Sequence, residues 1–297
     1  MPNSNNNNTN KLLRENSFRI VGKLVATEIN YGVRKDNGQE YVSATATINS
    51  VIEGTPCEYE VSFFASKLTK DGKESQLFVS YSKLNELEGK KVDISGEIRE
   101  NRYWSSNLGQ MISAQQLSGR FVRGVAESTA DLASFTLGGF IVKTPVEKTN
   151  KNGDVYRYDV TLGQSNFKGD GMSMFVLHVN PAQREIIAGV EGYEVGTTVK
   201  LNGTLKFVVE QVTVEDTNNA FGAAVTKTFT NKQKNFYIEG GSNPIDDESA
   251  YTPEVIKNLI DAYKANDVKL ANGAKDVEST APATAAAPVT KRQTSLI

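Results

Sequence analysis

Arg99, Arg102, Tyr103 and Trp104 fall within six consecutive residues, two planar rings beside two guanidiniums. A ring of this kind can take a nucleotide base flat on its face, worth roughly 1–3 kcal/mol per base. A guanidinium can fork onto a phosphate or stack on the same base. The pairing of rings with cations recurs along the chain. Arg34 and Lys35 precede Asn37-Gly38, Arg120 and Arg123 flank Phe121, Tyr156 adjoins Arg157, Lys200 and Lys206 stand in an alternating run, and Lys232 and Lys234 lead into Phe236-Tyr237. Each has a plainer reading. The single tryptophan is as good a structural anchor as a stacking platform, and scattered lysines are usually solvated surface. Phe18, Phe63, Phe135 and Phe175 sit in apolar runs and are expected in the core.

Catalytic chemistry finds little to stand on. His178 is the one histidine and lies in the apolar run MFVLHVN, where packing is the expected role. Cys57 is the one cysteine, so a zinc set, a Cys-His pair and a disulfide framework are excluded. GKKVDISG lacks the spacing of a phosphate loop. The reading is of a protein that is not an enzyme and carries no metal or cofactor. Carboxylates are plentiful without distinctive spacing, which leaves a hydrolytic pair unsupported.

The net charge of −2 is spread evenly: residues 11–125 hold 16 Lys+Arg against 14 Asp+Glu, residues 126–244 hold 11 against 13, and residues 245–297 hold 6 against 8. No segment is strongly basic, so an anionic polymer would have to be held by local patches and stacking. There is no run of 18 apolar residues, and MPNSNNNNTNK has no apolar signal core, so a reduced cytoplasmic setting without a membrane span is expected.

The elements that must position these residues read as strands. Val92, Ile94 and Ile98 alternate with Asp93, Ser95, Glu97 and Arg99, with Gly96 on the apolar side, where a strand can bend round a small barrel. The tip SSNLGQ then turns into a second run, Met111 to Phe121, as a long hairpin. Upstream, FRIVGKLVATEI and EYVSATATI flank the hairpin signal Asn37-Gly38, and EYEVSFFAS follows with Tyr59, Val61 and Phe63 on one face. Residues 67–88 are a connection with a helical turn. The same order returns downstream. Phe135 to Gly139 repeats Phe18 to Gly22, Asn152-Gly153-x-x-Tyr156 repeats Asn37-Gly38-x-x-Tyr41, and Gly196 to Leu205 repeats Gly89 to Ile98. The offsets are 117, 115 and 107, a drift that loop lengths absorb.

Gly-x-x-Val-x-Ile-x-Gly-x-Ile-Arg, followed by Tyr103-Trp104 and a Gly-Gln turn, resembles the fourth strand and hairpin of single-stranded DNA-binding proteins of the bacterial and phage type. The resemblance is strongest over about 35 residues, Gly89 to Arg123. It implies an all-β chain of two tandem five-stranded OB-fold barrels, at residues 17–125 and 135–244, joined by a linker at 126–134. It also implies sequence-nonspecific binding of single-stranded DNA by stacking and phosphate contacts, in replication or recombination, with a phage as the expected source and the host cytoplasm as the expected location. Residues 1–16 are expected as a disordered Asn-rich lead. Residues 245–268 should form an acidic segment and a short helix, capped by Thr252-Pro253-Glu254 and apolar at Val255, Leu259, Ile260 and Tyr263; residues 269–297 are expected to be a mobile tail.

The last ten residues, VTKRQTSLI preceded by Pro288, lack the acidic tip by which that family recruits replication proteins, which puts such partners in doubt. The second barrel lacks the Tyr-Trp pair. Two other classes stay open: a protein-interaction or virion accessory module that does not bind nucleic acid, and a carbohydrate-binding or hydrolytic β protein. Oligomeric state is not legible.

Overall fold

The computed structural model describes residues 11–216 and 225–280. The first unit runs β1 (Asn16–Val33), β2 (Glu40–Ile52), β3 (Thr55–Ser66), α1 (Gln76–Ser82) with a 3-10 turn at Leu84–Leu87, β4 (Lys91–Ser105) and β5 (Gln110–Gly124). The second repeats it as β6 (Leu132–Thr149), β7 (Val155–Ser165), β8 (Met172–Val179), α2 (Arg184–Glu191), β9 (Thr198–Asp216) and β10 (Val225–Gly241), followed by α3 (Pro253–Thr280).

Alternation builds each strand. In β2, Val42, Ala44, Ala46 and Ile48 are buried, while Ser43, Thr45 and Thr47 between them face out. β1 pairs with β2 through its second half and with β4 through its first, and β3 meets β5 in parallel at Val61↔Leu117, which closes a barrel. The second unit closes likewise, with β6 between β7 and β9 and a parallel contact Tyr237↔His178 between β10 and β8. These are two tandem five-stranded OB barrels, as the resemblance implied.

β1 pairs antiparallel with β6, so the two barrels share one sheet of ten strands. Phe18 stands opposite Phe135, its own counterpart in the repeat. The local two-fold axis therefore passes through that pair. Phe18 in turn faces Gly96 and Phe135 faces Gly203. A Cβ on Gly96 would lie 2.0 Å from the Ser118 carbonyl, and one on Gly203 1.8 Å from that of Tyr237, so both strands can bend there only as glycine. Phe18, Phe63, Phe135 and Phe175 are each buried to 2% exposure or less, and one apolar core runs through both barrels.

Each unit's long hairpin leans on the other unit. The Tyr59 hydroxyl donates to the Leu205 carbonyl at 2.8 Å, and the Met174 N–H donates to Glu100 at 2.8 Å. The run between the barrels is pinned as well, since the Asp131 carboxylate accepts the Val51 N–H at 2.6 Å and pairs with Lys91 at 2.6 Å.

Two segment expectations are corrected. Of the expected lead, residues 1–10 lie outside the described residues, but Leu12 is buried against Phe140, Tyr251 and Leu259. Two leucines side by side give this stretch something to bury that the asparagines before them lack. The helix begins where expected, with the Thr252 hydroxyl accepting the Val255 N–H at 3.4 Å, but it continues to Thr280, past the boundary at 268. Alanine, leucine and lysine dominate residues 264–271, and a helix once nucleated propagates through such residues at little cost. Of the tail expected at 269–297, residues 281–297 lie outside the described residues.

Candidate nucleic-acid interface

The alternation that buries Val61, Phe63 and Ala65 in β3 turns Phe64 outward, where it is 47% exposed. Its ring lies 5.2 Å from that of Tyr41 on β2, the planes tilted by 33°. The Arg34 guanidinium stands 5.3 Å over the Phe64 ring. Tyr41 can lie flat because Gly32 is its cross-strand neighbour on β1; a side chain there would come within 2.5 Å of the tyrosine ring. Small hydroxyl residues, Ser43, Thr45, Thr47 and Ser62, continue the same face. The β1–β2 loop, with Lys35 exposed, is held beside the loop after β3 by Gln39, whose side chain donates to the Leu68 carbonyl at 2.8 Å. The result is a preorganised aromatic step with a cation on it. Phe64 escaped the sequence reading, although two consecutive phenylalanines in an alternating strand require that one of them point out.

Around β4 and β5 the predicted residues separate. Arg102 is not on the surface: its side chain is 11% exposed beneath α3, with the guanidinium 3.3 Å from the centre of the Tyr263 ring and ion-paired with Asp267. The Tyr263 hydroxyl donates to Glu100, and burial followed by that carboxylate pushes its pKa upward. Arg102 is thus a clasp for the helix. A segment some 160 residues downstream covers it, which no local pattern reveals. Trp104 shares its side of the strand and is half-buried, whereas Tyr103 on the opposite side is 47% exposed. The head of the hairpin is therefore split between two faces.

Arg99, Arg120 and Arg123 do reach one surface, the outer face of β1, β4 and β5. Arg123 forks onto Asp93 at 2.7 and 3.2 Å, and Arg19, which the sequence reading passed over, forks onto the same carboxylate at 2.9 and 3.1 Å. Asp93 is 7% exposed, and the Arg19 hydrogen bonds, with Arg123 adding to them, hold its carboxyl below the usual range. Arg120 and Arg99 share Glu97.

In the second unit the cations are engaged. Lys200 pairs with Glu15 at 2.6 Å, Lys206 with Glu53 at 2.7 Å and Lys232 with Glu58 at 3.2 Å, three contacts that tie it to the first unit. Lys234 lies 5.9 Å from the Phe207 ring. Arg157 stands 5.5 Å over the Tyr156 ring, but its Nε is 2.8 Å from Asp159, whose carboxylate also lies 2.9 Å from His178 Nδ1. Burial, then the Arg157 charge, holds the His178 pKa below its usual range.

Tyr156 is not the counterpart of Tyr41. The ladder pairs Lys148 with Arg157 and Thr149 with Val155, leaving Tyr156 as the extra residue of a bulge. Tyr41 faces Gly32, and the residue 117 beyond Gly32 is Thr149, which faces Val155. Val155 thus takes the place of Tyr41, Lys151 that of Arg34, and Asn180, one step past the Tyr158↔Val179 pair, that of Phe64. Among the described residues, the second barrel has no exposed ring pair at these positions.

Among the described residues, no group of three or more His, Cys, Asp or Glu side chains could hold a metal ion, and no helix is long and apolar enough to cross a membrane.

The fold is similar to that of the wild-type single-stranded DNA binding protein from Thermus aquaticus, at a TM-score of 0.51 and 13% identity over 82% of this chain and 98% of that one. A deletion mutant of the Thermus aquaticus protein gives the same values. At that identity the likeness is one of fold. No curated protein matches the chain by sequence. A family model, YorF, matches residues 14–273, and the chain belongs to the YorF family.

Proposed function

We propose that this protein binds single-stranded DNA without sequence preference, on the outer face of β1, β2 and β3 of the first barrel. The observation that carries the reading is the exposed Tyr41–Phe64 ring pair with the Arg34 guanidinium over it. Rings of this kind accept any base, because every base has a π-face, and Arg34 and Lys35 supply the phosphate contacts. In OB barrels generally this is the face that takes oligonucleotides. The Thermus aquaticus proteins of like fold are named for binding single-stranded DNA, which favours the same ligand here. The role follows from the chemistry: covering strands exposed in replication or recombination, by binding rather than catalysis.

Anisotropy of a fluorescein-labelled oligo-dT strand, titrated at two salt concentrations, tests the reading. With about two phosphates engaged, log K should fall against log salt with a slope of about −1.4. Tyr41→Ala with Phe64→Ala should weaken binding by about 100-fold while the chain stays folded by circular dichroism. Wild-type protein that leaves the strand free at low salt sinks the proposal, and a duplex competitor of equal potency reduces it to general charge attraction.

A further inference from the structure

One cross-strand rung runs through six strands and both barrels. Phe121 on β5 faces Ser95 on β4, Ser95 faces Arg19 on β1, Arg19 faces Ser134 on β6, Ser134 faces Thr204 on β9, and Thr204 faces Tyr237 on β10. At the usual strand spacing the rung is about 24 Å long. It carries a ring at each end, with small hydroxyl residues and one guanidinium between. Phe121 is 63% exposed and borders a depression of about 410 Å³ with Arg19, Asp93 and Arg123.

Charge gives this face its character. Arg19, Arg99, Arg120 and Arg123 share two carboxylates, Asp93 and Glu97. The four arginine side chains remain 50–73% exposed, so each keeps N–H donors directed at solvent after pairing. Four guanidiniums that two carboxylates neutralise only by half suit a polyanion, which takes the spare donors without displacing the internal pairs. A second copy of the chain fits less well, since a two-fold axis would bring this surplus against itself.

We infer that the six-stranded face, from Phe121 to Tyr237, is a second single-strand site, separate from the ring pair on β2 and β3, so that one chain holds two strand segments at once. This rests on the strand-binding reading above, and it adds a bridging capacity: two segments of one strand, or two strands, held on opposite sides of the first barrel. Arg19 and Phe121 are its principal contacts.

Binding stoichiometry decides the matter. A dT oligomer of about eight nucleotides, within the span of one barrel, is titrated at low salt and followed by sedimentation with absorbance of the labelled strand. The wild-type chain should take two oligomers, the Phe121→Ala chain should lose the second event by roughly ten- to hundred-fold, and Tyr41→Ala with Phe64→Ala should lose the other. Phe121→Ala leaves the Asp93 cluster whole, and Arg19→Lys with Arg123→Lys, which keeps the charge but removes the forks, should weaken the second event while circular dichroism stays unchanged. One oligomer per wild-type chain, abolished by the Tyr41 and Phe64 changes, overturns the second site and leaves the first standing. No oligomer bound overturns both. If Phe121→Ala changes the chain's own sedimentation and not the stoichiometry, the face is a contact between copies and the inference fails.

Discussion

The two barrels have one skeleton and two surfaces. Phe18 with Gly96 and Phe135 with Gly203 are the same contact made twice, and the parallel closures Val61↔Leu117 and Tyr237↔His178 do the same job. Yet the face that carries Tyr41, Phe64 and Arg34 in the first unit carries Val155, Asn180 and Lys151 in the second. The position of Ser62 is taken there by His178, locked to Asp159. Interior positions are fixed by volume and backbone approach, which a second copy must meet again. Outer positions are fixed only by what they touch, so one copy can keep a ligand surface while the other turns its cations to holding the pair together.

If the skeleton is shared, damage to it should be equal. Gly96→Ala and Gly203→Ala each force a Cβ into a backbone carbonyl and should each cost about 3 kcal/mol or more in urea unfolding; a tolerated change at either would break the equivalence. The surfaces should respond unequally. Tyr41→Ala with Phe64→Ala is expected to cost about 100-fold in strand affinity, against less than twofold for Val155→Ala with Asn180→Ala. Arg102→Ala, which strips the clasp from Tyr263 and leaves Asp267 without its partner, should lower stability by about 2–3 kcal/mol and leave affinity per folded chain unchanged.

A smaller difference concerns pH. In the folded chain His178 stays neutral where the unfolded chain takes up a proton, so the unfolded state binds more protons and stability falls as pH drops through the usual histidine range near 6.5, levelling off below the depressed folded value. The groups facing it are Asp159, Arg157 and Tyr237, with Lys148 3.8 Å from Asp159. His178→Gln should flatten melting temperature against pH between about 7 and 5. The smallest effect is expected from Lys232→Gln: its pair with Glu58 is exposed, worth under about 1 kcal/mol, and strand affinity should change less than twofold.

Much of the skeleton could be read in advance because its causes are local. Asn37-Gly38 and Asn152-Gly153 turn their hairpins with the glycine at positive φ, 68° and 86°, and alternation sorted β2 and β3 into faces. The candidate site was legible in part. Arg34 and Lys35 were named by type and position, and the structure puts Arg34 over the Phe64 ring; Phe64 could have been named too, from the doubled phenylalanine. The match of Tyr156 to Tyr41 failed on a single inserted residue, since a bulge changes which residue takes the outer face without altering the motif.

The amino-acid sequence by itself determined that the chain repeats one strand-rich unit, where its turns and bends fall, and which residue types could meet bases and phosphates. Those properties arise from neighbours within a few positions. Only the tertiary structure decided which of these residues are free to act. Arg102 is covered by α3, Lys206 and Lys232 are taken by carboxylates of the other barrel, and Arg19, Ser134 and Thr204 become neighbours when β1 pairs with β6. Burial and ion pairing depend on what arrives from elsewhere in the chain, and spacing along the sequence holds no record of that.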